Sequence, residues 1–194
     1  MQRLGKLWVL VILGATLSAG RVAAETDWDA VGGPGDASFE DRCPPGQWLV
    51  SLQGRAGLWV NQIQIGCAFV SRGGVPGGRI SIRLNLWVGP RRGGNGGGVT
   101  GAACDGVIRG IWPHMTPGNR QVKYVDIWCK NASGGYGATG RFNTFTNPSQ
   151  DVNGGANQPE QEMCPDQDAA VGLRGRYGAD VNAISLICVP FDAR

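Results

Sequence analysis

The chain has 194 residues with 18 Lys and Arg against 15 Asp and Glu, and its 33 glycines, six cysteines and single histidine set its character. Arg3, Lys6 and Arg21 fall in the first 24 positions, which hold no acid, so residues 25–194 carry 15 charges of each sign. With no basic cluster beyond Arg91-Arg92, this balance gives no footprint for nucleic acid, and no segment approaches the 18 uninterrupted apolar residues that membrane insertion needs.

At the N-terminus, Arg3 and Lys6 precede an apolar run over residues 7–17 and the small residues Val22-Ala23-Ala24. This is the pattern of a cleavable signal peptide over residues 1–24. One mature domain over 25–194 is expected, secreted to the extracellular space or, in a Gram-negative bacterium, to the periplasm. Such compartments favour disulfides. Six cysteines permit 15 pairings, and spacing selects among them: Cys43 to Cys67 is 24 positions, Cys104 to Cys129 is 25 and Cys164 to Cys188 is 24. One bridge in each of three successive units is the economical arrangement. Zinc is the weaker reading, because CxxC is absent and only His114 could join thiolates. No metal or cofactor is expected.

The first unit opens behind Gly32-Gly33. Residues 49–53 and 59–67 flank a glycine turn and read as a hairpin, and Ile80, Ile82, Leu84, Leu86 and Val88 alternate as a half-buried strand. Behind Gly96-Gly97-Gly98, the second unit places Val122, Val125 and Ile127 at 7, 4 and 2 positions before its last cysteine, as the first places Val60, Ile63 and Ile65. Gly154-Gly155 introduces the third, where residues 164–188 align with 43–67 without a gap at 11 identities in 25 positions. Repeats of about 60 residues, over 32–95, 96–153 and 154–194, mark a symmetric β architecture.

Val60 and Ile63, Val122 and Val125, and Val181 and Ile184 are each three apart. Both members face one core only around an inserted residue, so a β-bulge is expected near Asn61-Gln62 and its counterparts. The third unit keeps only residues 189–194 after its last cysteine. Residues 25–31, with Trp28, are expected to complete that sheet beside the C-terminus and leave no open edge.

A glycine pair, an apolar strand and then GR-x-G-x-x-(V/L/I)-(D/N)-x-I resemble the pattern of jacalin-related lectins. The three cysteine-bearing units also resemble vitelline membrane outer layer protein I, and secreted bacterial proteins share the CP-x-G, GR-x-G, final-Cys style. The resemblance implies an all-β protein of the β-prism I fold, three Greek-key antiparallel sheets with pseudo-threefold symmetry. It further implies a carbohydrate or glycan-bearing surface as partner. In mannose-binding members the sugar sits between a glycine-rich loop and a GxxxD loop whose Asp accepts from hydroxyls. Residues 57–61 (GLWVN) and 178–182 (GADVN) match that loop but end in Asn61 and Asn182, which lack the charge-assisted strength of a carboxylate. The middle unit has Lys123 there, and its turn is rewritten over residues 113–118.

The expected ligand-binding residues are therefore Gly32, Gly33, Gly57, Trp59, Asn61, Gly154, Gly155, Gly178 and Asn182, with residues 32–35 beside 57–61 and 154–156 beside 178–182. Each has a plainer reading. The asparagines can bond their own backbone at a bulge, the glycines can supply angles closed to other residues, and Trp59 can pack instead of stacking on a pyranose ring. Trp48, Trp87, Trp112 and Trp128 are assigned to packing, His114 to a loop, and Arg55 and Arg176 to turns. Asp105, Asp126, Asp166, Asp168 and Asp180 show no spacing that singles out a catalytic pair, and one histidine gives little scope for a Ser-His-Asp triad. The expected function is non-catalytic carbohydrate recognition. The alternatives are an extracellular structural or protein-interaction module and, behind it, a glycan-active hydrolase or transferase.

Overall fold

A computed structural model describes residues 26–27, 29–72, 80–82, 86–116, 118, 120–130, 136–142, 161–166 and 168–191. The expectations for residues 1–24, for Trp28 and for Gly154 and Gly155 lie outside the described residues.

The chain begins with β1 (Thr26–Asp27), β2 (Val31–Gly32) and β3 (Ala37–Arg42). The first long hairpin joins β4 (Gln47–Ala56) to β5 (Val60–Arg72), and short β6 (Ile80–Ile82), β7 (Trp87–Val88) and β8 (Arg92–Gly93) follow. β9 (Gly98–Ala103) leads into the second hairpin, β10 (Val107–Met115) with β11 (Val122–Lys130), and then β12 (Tyr136–Phe142). β13 (Glu162–Met163) leads into the third, β14 (Asp168–Tyr177) with β15 (Val181–Pro190).

Three antiparallel sheets result, in the orders β6-β5-β4-β9, β12-β11-β10-β13 and β1-β15-β14-β3, with β7 and β8 also along β5 and β2 along β15. Each hairpin is bordered by its own following strands on one side and by the strand leading into the next unit on the other, a Greek key. In the third sheet both borders come from the start of the chain. Thr26 faces Cys188 and Val31 faces Ile184, just as Trp87 faces Cys67 and Arg92 faces Ile63 in the first.

The bulges fall where the three-residue spacing requires them. Ala56 pairs with Val60 and Arg55 with Gln62, leaving Asn61 as the inserted residue, and Lys123 and Asn182 are inserted at the equivalent places. Leu52, Ile111 and Leu173 can then meet Ile65, Ile127 and Leu186 in a fully buried core that all three sheets share. Burying each such side chain contributes about 1.5–3 kcal/mol. In a second cluster Trp48 and Phe191, ring centroids 4.6 Å apart, pack with Val107, Val171, Ile187 and Val189.

The disulfides are Cys43–Cys67, Cys104–Cys129 and Cys164–Cys188, each with Cα atoms 5.6 Å apart, the pairing that spacing selects. Their placement adds what spacing does not show. Cys43 follows β3 and its N–H donates to Val171 O in the third sheet, whereas Cys67 lies in β5 of the first. The N–H of Cys104 donates likewise to Val50 O, and that of Cys164 to Arg109 O. Each bridge therefore crosses from one sheet to the next.

Polar links cross at the same corners. Asp41, Ala102 and Glu162 occupy equivalent registers, opposite Leu173, Leu52 and Ile111. Buried Asp41 accepts from Arg92 Nε at 2.9 Å and Nη2 at 2.6 Å, binding the third sheet to the first. This hydrogen bonding holds Arg92 above the ordinary arginine range. Glu162 Oε1 accepts from Ser185 Oγ at 2.7 Å and from the Leu186 N–H at 2.8 Å, binding the second sheet to the third.

Two expectations are corrected. At residues 86–88 the expected buried face is not there: Leu86 and Val88 are 46% and 41% exposed, and β7 pairs with Gly66 and Cys67 while β6 pairs with Val70, Ser71 and Arg72. His114 is not in a loop. β10 continues through Pro113 to Met115, with Pro113 opposite Val125 and His114 opposite Tyr124 of β11. The second turn begins at Thr116, whose N–H donates to Gln121 O.

Candidate functional site

Glycine dictates how the chain crosses each hairpin end. Between β2 and β3 runs the segment GGPGD, residues 32–36, and between β8 and β9 runs GGNGG, residues 93–97. At Gly32, φ is +138° and a Cβ would stand 2.2 Å from Asn182 O; at Gly93, φ is +105° and a Cβ would stand 2.1 Å from Asn61 O. Only glycine fits either place. The next residue of each loop donates to the bulge: Gly33 N–H to Asn182 O at 2.9 Å, and Gly94 N–H to Asn61 O at 2.8 Å.

These contacts correct the expected pairing of loops. Residues 32–36 lie beside the turn of the third hairpin, not beside residues 57–61. Gly178 closes that turn by donating to Asp180 O at 2.9 Å, and a Cβ at this position would stand 2.5 Å from Asp36 Oδ2. The partner of residues 57–61 is the loop 93–97, where Gly96 and Gly97 contact the Asn61 side chain and Gly57 donates to Trp59 O at 2.9 Å. Trp59 is half-buried in that turn. Arg55 fixes the loop by donating from Nε and Nη2 to Gly96 O and Gly97 O, and Gln62 Nε2 donates to Gly94 O. Gly93, Gly94 and Asp36 escaped the sequence reading. A signal for them existed, since GGPG and GGNG are 61 positions apart, as are Cys43 and Cys104.

The two loop pairs share one end of the molecule. Asp180 Oδ1 accepts from Asn61 Nδ2 at 2.7 Å and its Oδ2 from Gln121 Nε2 at 3.0 Å, so one carboxylate ties the tips of all three hairpins. Asn182 Nδ2 donates to Arg120 O at 2.9 Å. Its other atom differs: Asn182 Oδ1 is buried and accepts from no donor. A buried acceptor in that condition carries a free-energy penalty of about 1–3 kcal/mol that a hydroxyl donor would relieve.

His114 Nε2 lies 3.1 Å from Asp126 Oδ2, and the imidazole stacks on Tyr124 with centroids 4.0 Å apart. Asp166 is fully exposed, 3.8 Å from Arg109, and Asp180 is engaged at the tips. Among the described residues no group of three or more His, Cys, Asp or Glu could hold a metal ion, and no helix is long and apolar enough to cross a membrane.

The sequence matches no protein-family model and no curated protein. Its fold is nonetheless well represented among solved structures. Malaysian banana lectin superposes with a TM-score of 0.52 at 17% identity, covering 87% of this chain and 99% of that one. A mannose-binding jacalin-related lectin from Ananas comosus gives 0.51 at 14%, covering 87% and 99%. Calystegia sepium agglutinin gives 0.53 at 13%, covering 87% and 97%. The chain therefore has the β-prism I fold of jacalin-related lectins.

Proposed function

We propose that this protein is a secreted, non-catalytic carbohydrate-binding module. Sugar hydroxyls are recognised where residues 32–36 meet 178–182 and, in a second copy, where 93–97 meet 57–61. The observation that carries the reading is Asn182 Oδ1, an acceptor without a donor at the bulge that the glycine loop closes over. One of the superposed lectins is mannose-binding by description, which supports a carbohydrate as the class of ligand. Three disulfides suit an exported protein. In the second copy the Asn61 amide is already held by Asp180, so Trp59 and backbone groups carry more of the contact. Each site is shallow and weak alone, and the pair gains avidity only on a multivalent surface.

One observation favours a structural extracellular module instead: the amide nitrogens of both asparagines are already engaged within the protein. A glycan array with the wild type, Asn61→Ala and Asn182→Ala separates the readings. Loss of signal in Asn182→Ala, by about tenfold for the buried acceptor, is the expected result. An array that stays blank, or a signal indifferent to both changes, refutes carbohydrate recognition at these loops.

A further inference from the structure

The three sheets are equivalent in register but not in the chemistry of their walls. Beside the second loop, the first sheet carries a groove of about 790 Å³ lined by Gln53, Arg55, Gln62, Gln64, Arg91 and Asn95 among others. Its counterpart on the third sheet is about 370 Å³, with Arg174 and Arg176 where the first has Gln53 and Arg55. The charges differ. Asp29 and Glu40 line the smaller groove with its two arginines, whereas the described lining of the larger one holds no carboxylate.

The larger groove is also short of partners. Thr100 Oγ1, in its wall, is buried with no hydrogen-bond partner. Gln64 Nε2 donates to Gly89 O at 2.9 Å and Gln62 Nε2 to Asn95 Oδ1 at 3.3 Å, so both amides are held in fixed planes. With its Nε2 donating to both Gly94 O and Asn95 Oδ1, Gln62 presents Oε1 as an acceptor, while the Gln64 amide has a second N–H and Oε1 to set against neighbouring hydroxyls on a sugar ring. Arginine forks suit a carboxylate. The described lining contains no aromatic ring on which a nucleobase could stack, and its volume lies in the range of small-ligand sites.

We propose that this groove binds an acidic oligosaccharide, a carboxylate on Arg91 and its hydroxyls on the glutamine and asparagine side chains. The groove is separate from the acceptor at Asn182, and the two can be read independently. The probes are tetragalacturonate, a neutral galactose tetramer and a tetrathymidylate of similar charge, titrated into the full chain by calorimetry and by amide-resolved NMR. Tetragalacturonate is expected to bind about tenfold more tightly than the neutral tetramer, with the largest shifts at Gln64, Arg91 and Thr100. Arg91→Gln should weaken it about fivefold. Val99→Glu, at a rim residue 79% exposed, should weaken it further while leaving the fold intact, and Asn182→Ala should leave it unchanged. Equal affinity for the acidic and neutral tetramers, indifference to Val99→Glu, loss of binding in Asn182→Ala, or equally tight tetrathymidylate would each overturn the assignment. Binding of tetragalacturonate at the wall with no neutral glycan bound at the loops would uphold it and remove the loop reading alone.

Discussion

Glu162→Gln should make the protein more stable at alkaline pH. The carboxyl is buried on β13, its Oε1 accepts from Ser185 Oγ and the Leu186 N–H, and its Oε2 has no hydrogen-bond partner. Burial pushes its pKa from 4.5 up to about 7, against the pull of those two donors. The folded state thus prefers the protonated acid. Stability from this group is fully present below the unfolded value near 4.5 and declines as pH rises through the folded value near 7. A difference of that size corresponds to about 3 kcal/mol at completion, most of it between pH 5 and 8. Glutamine keeps a carbonyl for both donors and cannot ionise. Urea denaturation with disulfides intact should therefore show the wild type weakening relative to Glu162→Gln by about 2 to 3 kcal/mol from pH 5 to pH 8. If the two proteins keep a constant difference across that range, Glu162 is not held as a neutral acid and the reasoning fails.

Other substitutions report on the remaining joints. Gly32→Ala drives a Cβ onto Asn182 O at a positive φ and should lose about 1–3 kcal/mol in denaturant titration, whereas Gly118→Ala, also at positive φ but with nothing within 4 Å, should lose only about 1 kcal/mol. Replacing Cys104 and Cys129 together by serine should remove about 3 kcal/mol through loop entropy, measurable against the wild type under non-reducing conditions. Asp180→Ala frees the amides of Asn61 and Gln121 and should lower stability by about 2 kcal/mol, with NMR shifts appearing at both distant tips. Asp41→Ala leaves a half-buried Arg92 uncompensated, and a loss of about 1–3 kcal/mol in thermal or urea unfolding is expected.

The parts of this fold that were legible in the chain are those encoded within one unit. Cysteine spacing and the three-residue gap between Val60 and Ile63 are local, so they gave the bridges and the bulge at Asn61. Relations between units were harder. Residues 96–98 drew attention through sheer glycine count, but the loop against Asn61 begins at Gly93, three residues earlier, because the strand before it must reach Gln62 and Ile63 first. Asp180 looked like one acid among five; its place between Asn61 and Gln121 depends on how three hairpins converge, which no linear pattern records. Pro113 and Gly118 suggested a turn at His114, yet β10 carries Pro113 and His114 in register with β11 and the turn begins only at Thr116.

Because β1, β2 and β3 pair with β14 and β15 from the far part of the chain, the third sheet cannot close until those later strands have been made. β1, β2 and β3 must wait, unpaired, until residues 168–190 emerge. Such long-range closure is slow and leaves strand edges open to wrong partners in the interval.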